Sequence, residues 1–274
     1  MAIRDVEKRH SRPKKGNGSS QAPTIALSAK WHTYPDRFRW IAEHGFALAY
    51  SPHPEAFDTL PRHVDPLLEA GIPVRYHGFF PGYEFGHTDA ATAERATRLH
   101  LAALEAMRGR GEQVITFHVG LRGKDRIDPG RAVDNLSRLV AYGRHLGITV
   151  CLENLRRGPT SSPETVLEWA RASGAMITLD VGHAVSCRRV QNGELTALDF
   201  VQAFAERLVE VHMYEREAER HYPPQDMTVL GPLVDRLLTT PCTWWTIELD
   251  DLAEALATRA LLLDYLHLHL HKCP

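Results

Sequence analysis

No apolar run in this 274-residue chain approaches the roughly 20 residues that a membrane-spanning helix needs, so a helical membrane protein is excluded. The N-terminal stretch MAIRDVEKRHSRPKKGNGSSQ lacks the apolar core of a secretory signal. It is read as a disordered basic tail covering residues 1–22. Cysteine is scarce: Cys151, Cys187, Cys242 and Cys273 are scattered without a CxxC pair. With no export signal, reduced thiols and a cytoplasmic location are expected. A strong charge of either sign is also missing. The formal net charge of -2 gives no general pull towards phosphate backbones. A small-molecule substrate is therefore the expected partner, with Arg4, Lys8, Arg9, Arg12, Lys14 and Lys15 of the tail leaving a nucleic-acid contact open. The length suits one α/β barrel of about 250 residues, and the sequence sets no oligomeric state.

What the chain does contain is a repeated alternation. Short apolar runs (TIALSA, FALAYSP, PVRYHGFF, VITFHVG, TVCLENL, MITLDVGHA, LVEVHMYE, TWWTIEL) read as eight strands. Between them, and after the last, lie segments with apolar residues at helical spacing: Pro35 to His44, Phe57 to Ala70, Ala90 to Met107, Ala132 to about Leu146, Ser162 to Ala172, Ala197 to Leu208, Gly231 to Leu238 and Leu252 to Tyr265. Asp89 is placed as an N-cap, and Gly45, Gly71 and Gly147 as helix stops. Strictly alternating strands and helices imply parallel pairing through crossovers, and the expected fold is a single (β/α)8 barrel over residues 23–266. The final HLHLHKCP, residues 267–274, reads as a frayed tail.

Eight residues organise the chain: His77, His118, Glu153, Asp180, His183, His212, His221 and Glu248. Most end a strand-like run or follow one closely, which in a barrel is the C-terminal face where sites assemble. Because they come from six of the eight strands or the loops after them, a closed barrel is favoured over an open sheet with one switch point. Singly, each has a structural reading as a loop hydrogen-bonder or turn cap. Together, Glu153, Asp180 and Glu248 would repel one another without a cation. A divalent metal shared with His212 resolves that, and His77, His118, His183 and His221 would enlarge the site. The donors suit Zn, Mn, Co or Mg.

Strand alternation carries the reasoning downward. If His77, Glu153 and His212 point into the barrel, so do Arg75, Cys151 and Glu210 two residues earlier. Arg75 and Glu210 are then expected to pair across the floor, since either charge alone is costly to bury. Arg156, with Arg157, Arg122, Lys124 and Arg126, could meet a phosphorylated sugar or simply form surface ion pairs. Phe79, Phe80, Tyr83 and Phe85 could wall a substrate pocket or pack their own loop.

The motifs LENL at Glu153, LDVGH from Asp180 to His183, VHMYE at His212 and TIEL at Glu248 resemble those of the xylose-isomerase-like TIM barrels, which include sugar isomerases, ketose 3-epimerases and the endonuclease IV family. The resemblance spans about Thr24 to Tyr265. Its epimerase branch implies one metal on Glu153, Asp180, His212 and Glu248. It also implies Glu153 and Glu248 as an acid/base pair working through an enediolate, His183 as a catalytic residue orienting a substrate oxygen, and Arg220 as a substrate-binding residue. Its endonuclease IV branch implies three zinc ions: one on His77, His118 and Glu153, a second on Glu153, Asp180, His212 and Glu248, and a third on His183, Glu219 and His221. The expected function is a metal-dependent isomerase or epimerase of a small sugar or sugar phosphate, carrying one to three ions. The alternatives are a zinc-dependent phosphodiesterase and a non-catalytic ligand- or partner-binding barrel.

Overall fold

The computed structural model describes residues 22–123 and 126–270. The basic tail except residue 22, and with it Lys124 and Cys273, lies outside the described residues.

Eight parallel strands form the frame: β1 Thr24–Lys30, β2 Ala47–Ser51, β3 Val74–Gly78, β4 Val114–Phe117, β5 Thr149–Glu153, β6 Met176–Asp180, β7 Leu208–Met213 and β10 Trp244–Ile247. They close into a barrel in the order β1-β10-β7-β6-β5-β4-β3-β2. Helices α1 Asp36–Glu43, α2 Leu60–Glu69, α3 Ala90–Met107, α4 Pro129–Leu146, α5 Pro163–Ser173, α8 Ala197–Phe204, α9 Leu230–Leu237 and α10 Leu252–Leu270 alternate with the strands. A short α6, Val181–Ser186, α7, Arg188–Gln191, and a hairpin of β8, Arg216–Glu217, with β9, His221–Tyr222, complete the chain. No helix among the described residues is long and apolar enough to cross a membrane.

Local chemistry sets the helix boundaries. The side chains of Asp89, Asp128 and Ser162 accept from the backbone N–H groups of Thr92, Arg131 and Thr165, capping α3, α4 and α5. The α4 helix ends on Gly147, whose φ of 76° is the left-handed conformation that glycine adopts without penalty.

Outward-facing strand residues such as Leu48, Phe117, Leu152, Leu179 and Val211 form one apolar core with the helices. The inward set mixes a small apolar cluster of Ala26, Ala47 and Trp244 with buried polar groups. The Thr116 and Thr178 hydroxyls meet at 2.6 Å across the interior, and the Arg75 guanidinium lies 3.8 Å from Glu210 Oε2. The expected floor pair is thus present. Arg75 Nη1 also donates to the Val209 carbonyl at 2.9 Å, its guanidinium sits 4.4 Å over the Trp244 ring, and Thr246 donates to Glu210 Oε1 at 2.7 Å.

Two expectations fail. MITLDVGHA is not one strand, because the backbone turns into α6 at Val181, where the Asp180 side chain accepts from the His183 N–H. The helix expected to stop at Tyr265 runs to Leu270, so HLHL continues it rather than fraying. His269 stacks on Tyr265 one turn earlier, with centroids 4.0 Å apart, and donates from Nδ1 to the Tyr265 carbonyl at 2.8 Å.

Candidate metal centre

Parallel strands deliver the ends of β3, β5, β6 and β7, and the residues just past β4 and β10, to one rim. There the residues expected to converge do so. Glu153 is the hub. Its Oε2 lies 3.0 Å from His118 Nε2 and 3.3 Å from His77 Nε2, and its Oε1 lies 3.4 Å from His212 Nδ1. His212 Nδ1 also stands 3.6 Å from Glu248 Oε1 and 3.9 Å from Asp180 Oδ2. It is fully buried and has no hydrogen-bond partner among the described residues. A buried nitrogen lacking a hydrogen bond yet facing three carboxylates has the geometry of a metal ligand.

A second group lies beside the first. His183 donates from Nδ1 to the Asn154 carbonyl at 3.0 Å, and His221 does the same to the Glu248 carbonyl at 2.8 Å. These bonds fix the tautomers and leave each Nε2 as a lone-pair donor. His183 Nε2 lies 3.3 Å from Glu217 Oε2. The ligand atoms of His183, Glu217 and His221 fall within 4.8 Å of one another, as do those of His77, His118 and Glu153, of Glu153, Asp180 and His212, and of His77, His212 and Glu248.

Here the structure corrects the reading of Glu219. That side chain is exposed and accepts from the Tyr222 hydroxyl at 3.1 Å, and Glu217 stands with His183 and His221 instead. Glu217 faces His221 directly across the β8–β9 ladder, so both side chains share one face of the hairpin, whereas Glu219 belongs to its turn.

Electrostatics within the cup are in conflict. Burial opposes ionisation of Glu153, but the charges of His118 and His212 outweigh it and hold the carboxyl well below its usual range. Burial, reinforced by the Glu153 and Glu248 charges, pushes Asp180 well above its usual value. Glu248 is lowered because His212 and His77 outweigh its burial. Burial disfavours charged His212, yet Glu248 and Glu153 prevail and raise it well above normal. Burial alone wins at His77 and His183, which are lowered. Buried carboxylates this close repel one another, and positive charge in the cup would relieve that repulsion.

Several positioning residues were missed in the sequence. Asn154 clamps the end of β6, its Oδ1 accepting from Asp180 N and its Nδ2 donating to Asp180 O, both at 2.9 Å. Tyr214 donates to Asp180 Oδ2 at 3.0 Å and stacks on His221 at 3.9 Å. Ser51 Oγ meets His77 Nδ1 at 3.2 Å. Asn154 and Tyr214 lie inside the LENL and VHMYE motifs already singled out, so proximity to a ligand was the available signal.

Above the donors opens a cavity of about 450 Å³ whose walls include Lys30, Phe79, Leu155, Arg157, Arg220 and Asp250. Of the aromatic residues expected to form a wall, only Phe79 does so. Phe80 is buried against Phe57 and His100, and Tyr83 donates to Glu55 outside the cavity. The physical reason is alternation: His77 points inward, hence Phe79 does too, and Phe80 turns to the core. Arg156 lines the cavity but pairs with Glu217 at 3.0 Å. Arg220 lines it while held by Glu254 at 2.8 Å. Arg122 and Arg126 are not among its walls.

The family model described as xylose isomerase-like TIM barrel matches residues 38–264. An uncharacterized protein of Methanocaldococcus jannaschii is 36% identical over 167 residues, 61% of this chain and 71% of that relative. Among solved structures, 3-keto-D-glucoside 4-epimerase from E. coli superposes with a TM-score of 0.69 at 16% identity, covering 89% of this chain and 98% of that one. Endonuclease IV from Thermus thermophilus superposes with a TM-score of 0.64 at 16% identity, covering 89% and 99%. At such identities the structural likenesses establish the fold.

Proposed function

We propose, for a chain that belongs to the xylose isomerase-like TIM barrel family, that the cup is a multi-ion divalent-metal centre hydrolysing a phosphoester of a small molecule. One observation carries this reading. Nine side chains, His77, His118, Glu153, Asp180, His183, His212, Glu217, His221 and Glu248, present ligand atoms in four groups, three of which share members. That exceeds the four donors zinc uses in most sites and the about six that magnesium takes. A single ion would leave several buried imidazoles and carboxylates without a charge partner.

His77, His118 and Glu153 would hold one ion, and the other Glu153 oxygen with Asp180, His212 and Glu248 a second. His183, Glu217 and His221 would hold a third. Five imidazoles among nine donors favour zinc. Bound divalent ions supply Lewis-acid polarisation of a phosphoryl oxygen and make water acidic enough to attack at neutral pH. The chain's own contribution is recognition and exclusion of solvent. Lys30, whose ammonium lies 5.0 Å over the Phe79 ring, and Arg157 line the cavity and would supply the positive charge that receives an anionic substrate. A cavity of about 450 Å³ matches a small ligand.

A second reading, metal-dependent epimerisation or isomerisation of a small sugar, is favoured by the placement of Glu153 and Glu248. They reach His212 Nδ1 from β5 and from the end of β10, at 3.4 and 3.6 Å, so a sugar carbon held between them could lose a proton to one and regain it from the other. Metal counting by mass spectrometry on the purified protein, paired with two assays, separates the readings. Two or three ions per chain with release of p-nitrophenolate from bis-p-nitrophenyl phosphate is the expected result. One ion per chain with ketose interconversion and no phosphoester cleavage would transfer the assignment to the second reading.

A further inference from the structure

The ligand imidazole of His212 has two buried faces, and the metal centre uses only one. Nδ1 faces Glu153, Asp180 and Glu248. Nε2 points down the barrel, is buried with no hydrogen-bond partner among the described residues, and lies 3.5 Å from Glu210 Oε1. Among the described residues this is the carboxylate within ion-pair reach of that nitrogen. Glu210 is 2% exposed and is not a member of any ligand group. Its other oxygen, Oε2, also has no hydrogen-bond partner among the described residues and lies 3.8 Å from Arg75 Nη1. The row Arg75, Glu210, His212 therefore runs from the barrel floor to the centre of the cup.

From this geometry we infer that Glu210 is a positioning residue for the metal centre. It accepts the Nε2 proton of His212, fixes the tautomer whose Nδ1 lone pair faces the ions, and raises the basicity of that ligand, while Arg75 balances its charge from below. Such a carboxylate behind a ligating histidine sets ring orientation and metal affinity. Arg75 makes the arrangement tolerable without metal, because a buried carboxylate with no counter-charge is strongly destabilising. The ring cannot swing away to satisfy both roles differently: Thr246 fixes Glu210 Oε1 with a 2.7 Å hydrogen bond, and His212 is fully buried. The inference rests on the metal-centre reading but is independent of which reaction follows.

The test uses the full chain and Glu210→Gln, which preserves the shape, the Thr246 contact and an acceptor for the Nε2 proton but removes the charge. Titration with Co²⁺, followed by its visible absorption, is expected to show one site weakened about 10- to 100-fold, the usual cost of losing an outer carboxylate. The remaining uptake should be unchanged. In ¹⁵N NMR of the zinc-loaded wild type, His212 should carry zinc on Nδ1 and its proton on Nε2. A merely structural role would lower the melting temperature of the metal-free variant and leave the Co²⁺ titration superimposable on wild type, and that outcome overturns the inference. Zinc on Nε2 overturns it as well. A wild-type chain that takes up no Co²⁺ removes the metal-centre reading itself, and the inference with it.

Discussion

Gly182 offers the sharpest test of how the cup is held. A Cβ there would lie 2.0 Å from Tyr214 Cε2 and 2.4 Å from Cδ2 and Cζ. Carbon atoms pack at about 3.5 Å or more, so in Gly182→Ala the ring must retreat by about 1.5 Å. It has nowhere easy to go. Tyr214 is fully buried, stacked on His221 at an 8° interplanar angle, and bonded to Asp180. Overpacking costs about 1–3 kcal/mol, and loss of the hydroxyl bond adds about 1 kcal/mol. Alanine in place of glycine within α6 returns at most about 1 kcal/mol of helix propensity. The net cost, about 1–3 kcal/mol, corresponds to a melting temperature lower by about 2–12 °C in a domain of this size. The loss should appear in circular-dichroism melts of the metal-free protein, with weaker uptake of Co²⁺ as Asp180 and His221 shift. A melt at or above wild type with unchanged uptake would refute the close approach of Gly182 to Tyr214.

Further outcomes follow from the same geometry. Glu217→Ala should reduce the number of bound ions by one and Glu219→Ala should not, as counted by mass spectrometry; equal effects would restore Glu219 as the ligand. Asp180 has its folded pKa raised by burial and by Glu153 and Glu248. Its stabilising contribution is therefore present below its unfolded pKa of about 3.9 and is lost as pH rises through the folded value. Metal-free Asp180→Asn should accordingly gain stability relative to wild type as pH rises from 5 to 8 in urea melts, and a pH-independent difference would count against the charge conflict. Burial pushes the Cys151 and Cys242 thiols up to about 12. Both should resist a thiol-labelling reagent at pH 8 until the protein unfolds, with mass spectrometry locating any modified residue.

The barrel was readable because its two periods are so regular: short apolar runs separated by stretches with helical spacing, several of them closed by a cap or a glycine. Rim residues were readable because a parallel barrel sends every strand end to the same face, so Glu153, Asp180, His212 and Glu248 needed only to end their runs. Glu217 was hidden because the segment between Glu215 and Tyr222 contains three glutamates, and only the β8–β9 pairing decides which one opposes His221. Phe79 and Phe80 differ by a single step of alternation. The rule that placed Arg75 beneath His77 also places Phe79 above it, and aromatic content alone points to the wrong neighbour. Asp180 deceived in another way: its side chain both faces the cup and starts α6, so an apolar run that looked like a longer strand turns at that point.

The hairpin of β8 and β9 is held to the barrel through side-chain contacts, among them those of His221 with the Glu248 carbonyl and the Tyr214 ring. Its Glu217 N–H is received by Ser186 Oγ at 2.8 Å, and Arg156 grips the turn by donating to the Glu217 and Ala218 carbonyls. Among the described residues no barrel strand pairs with it. A lineage could therefore shorten, lengthen or discard this ribbon without disturbing the eight-stranded frame, adding or deleting the Glu217 and His221 donors in one genetic event. Ion number in such proteins would then evolve by loop exchange, while the floor of the cup stays fixed.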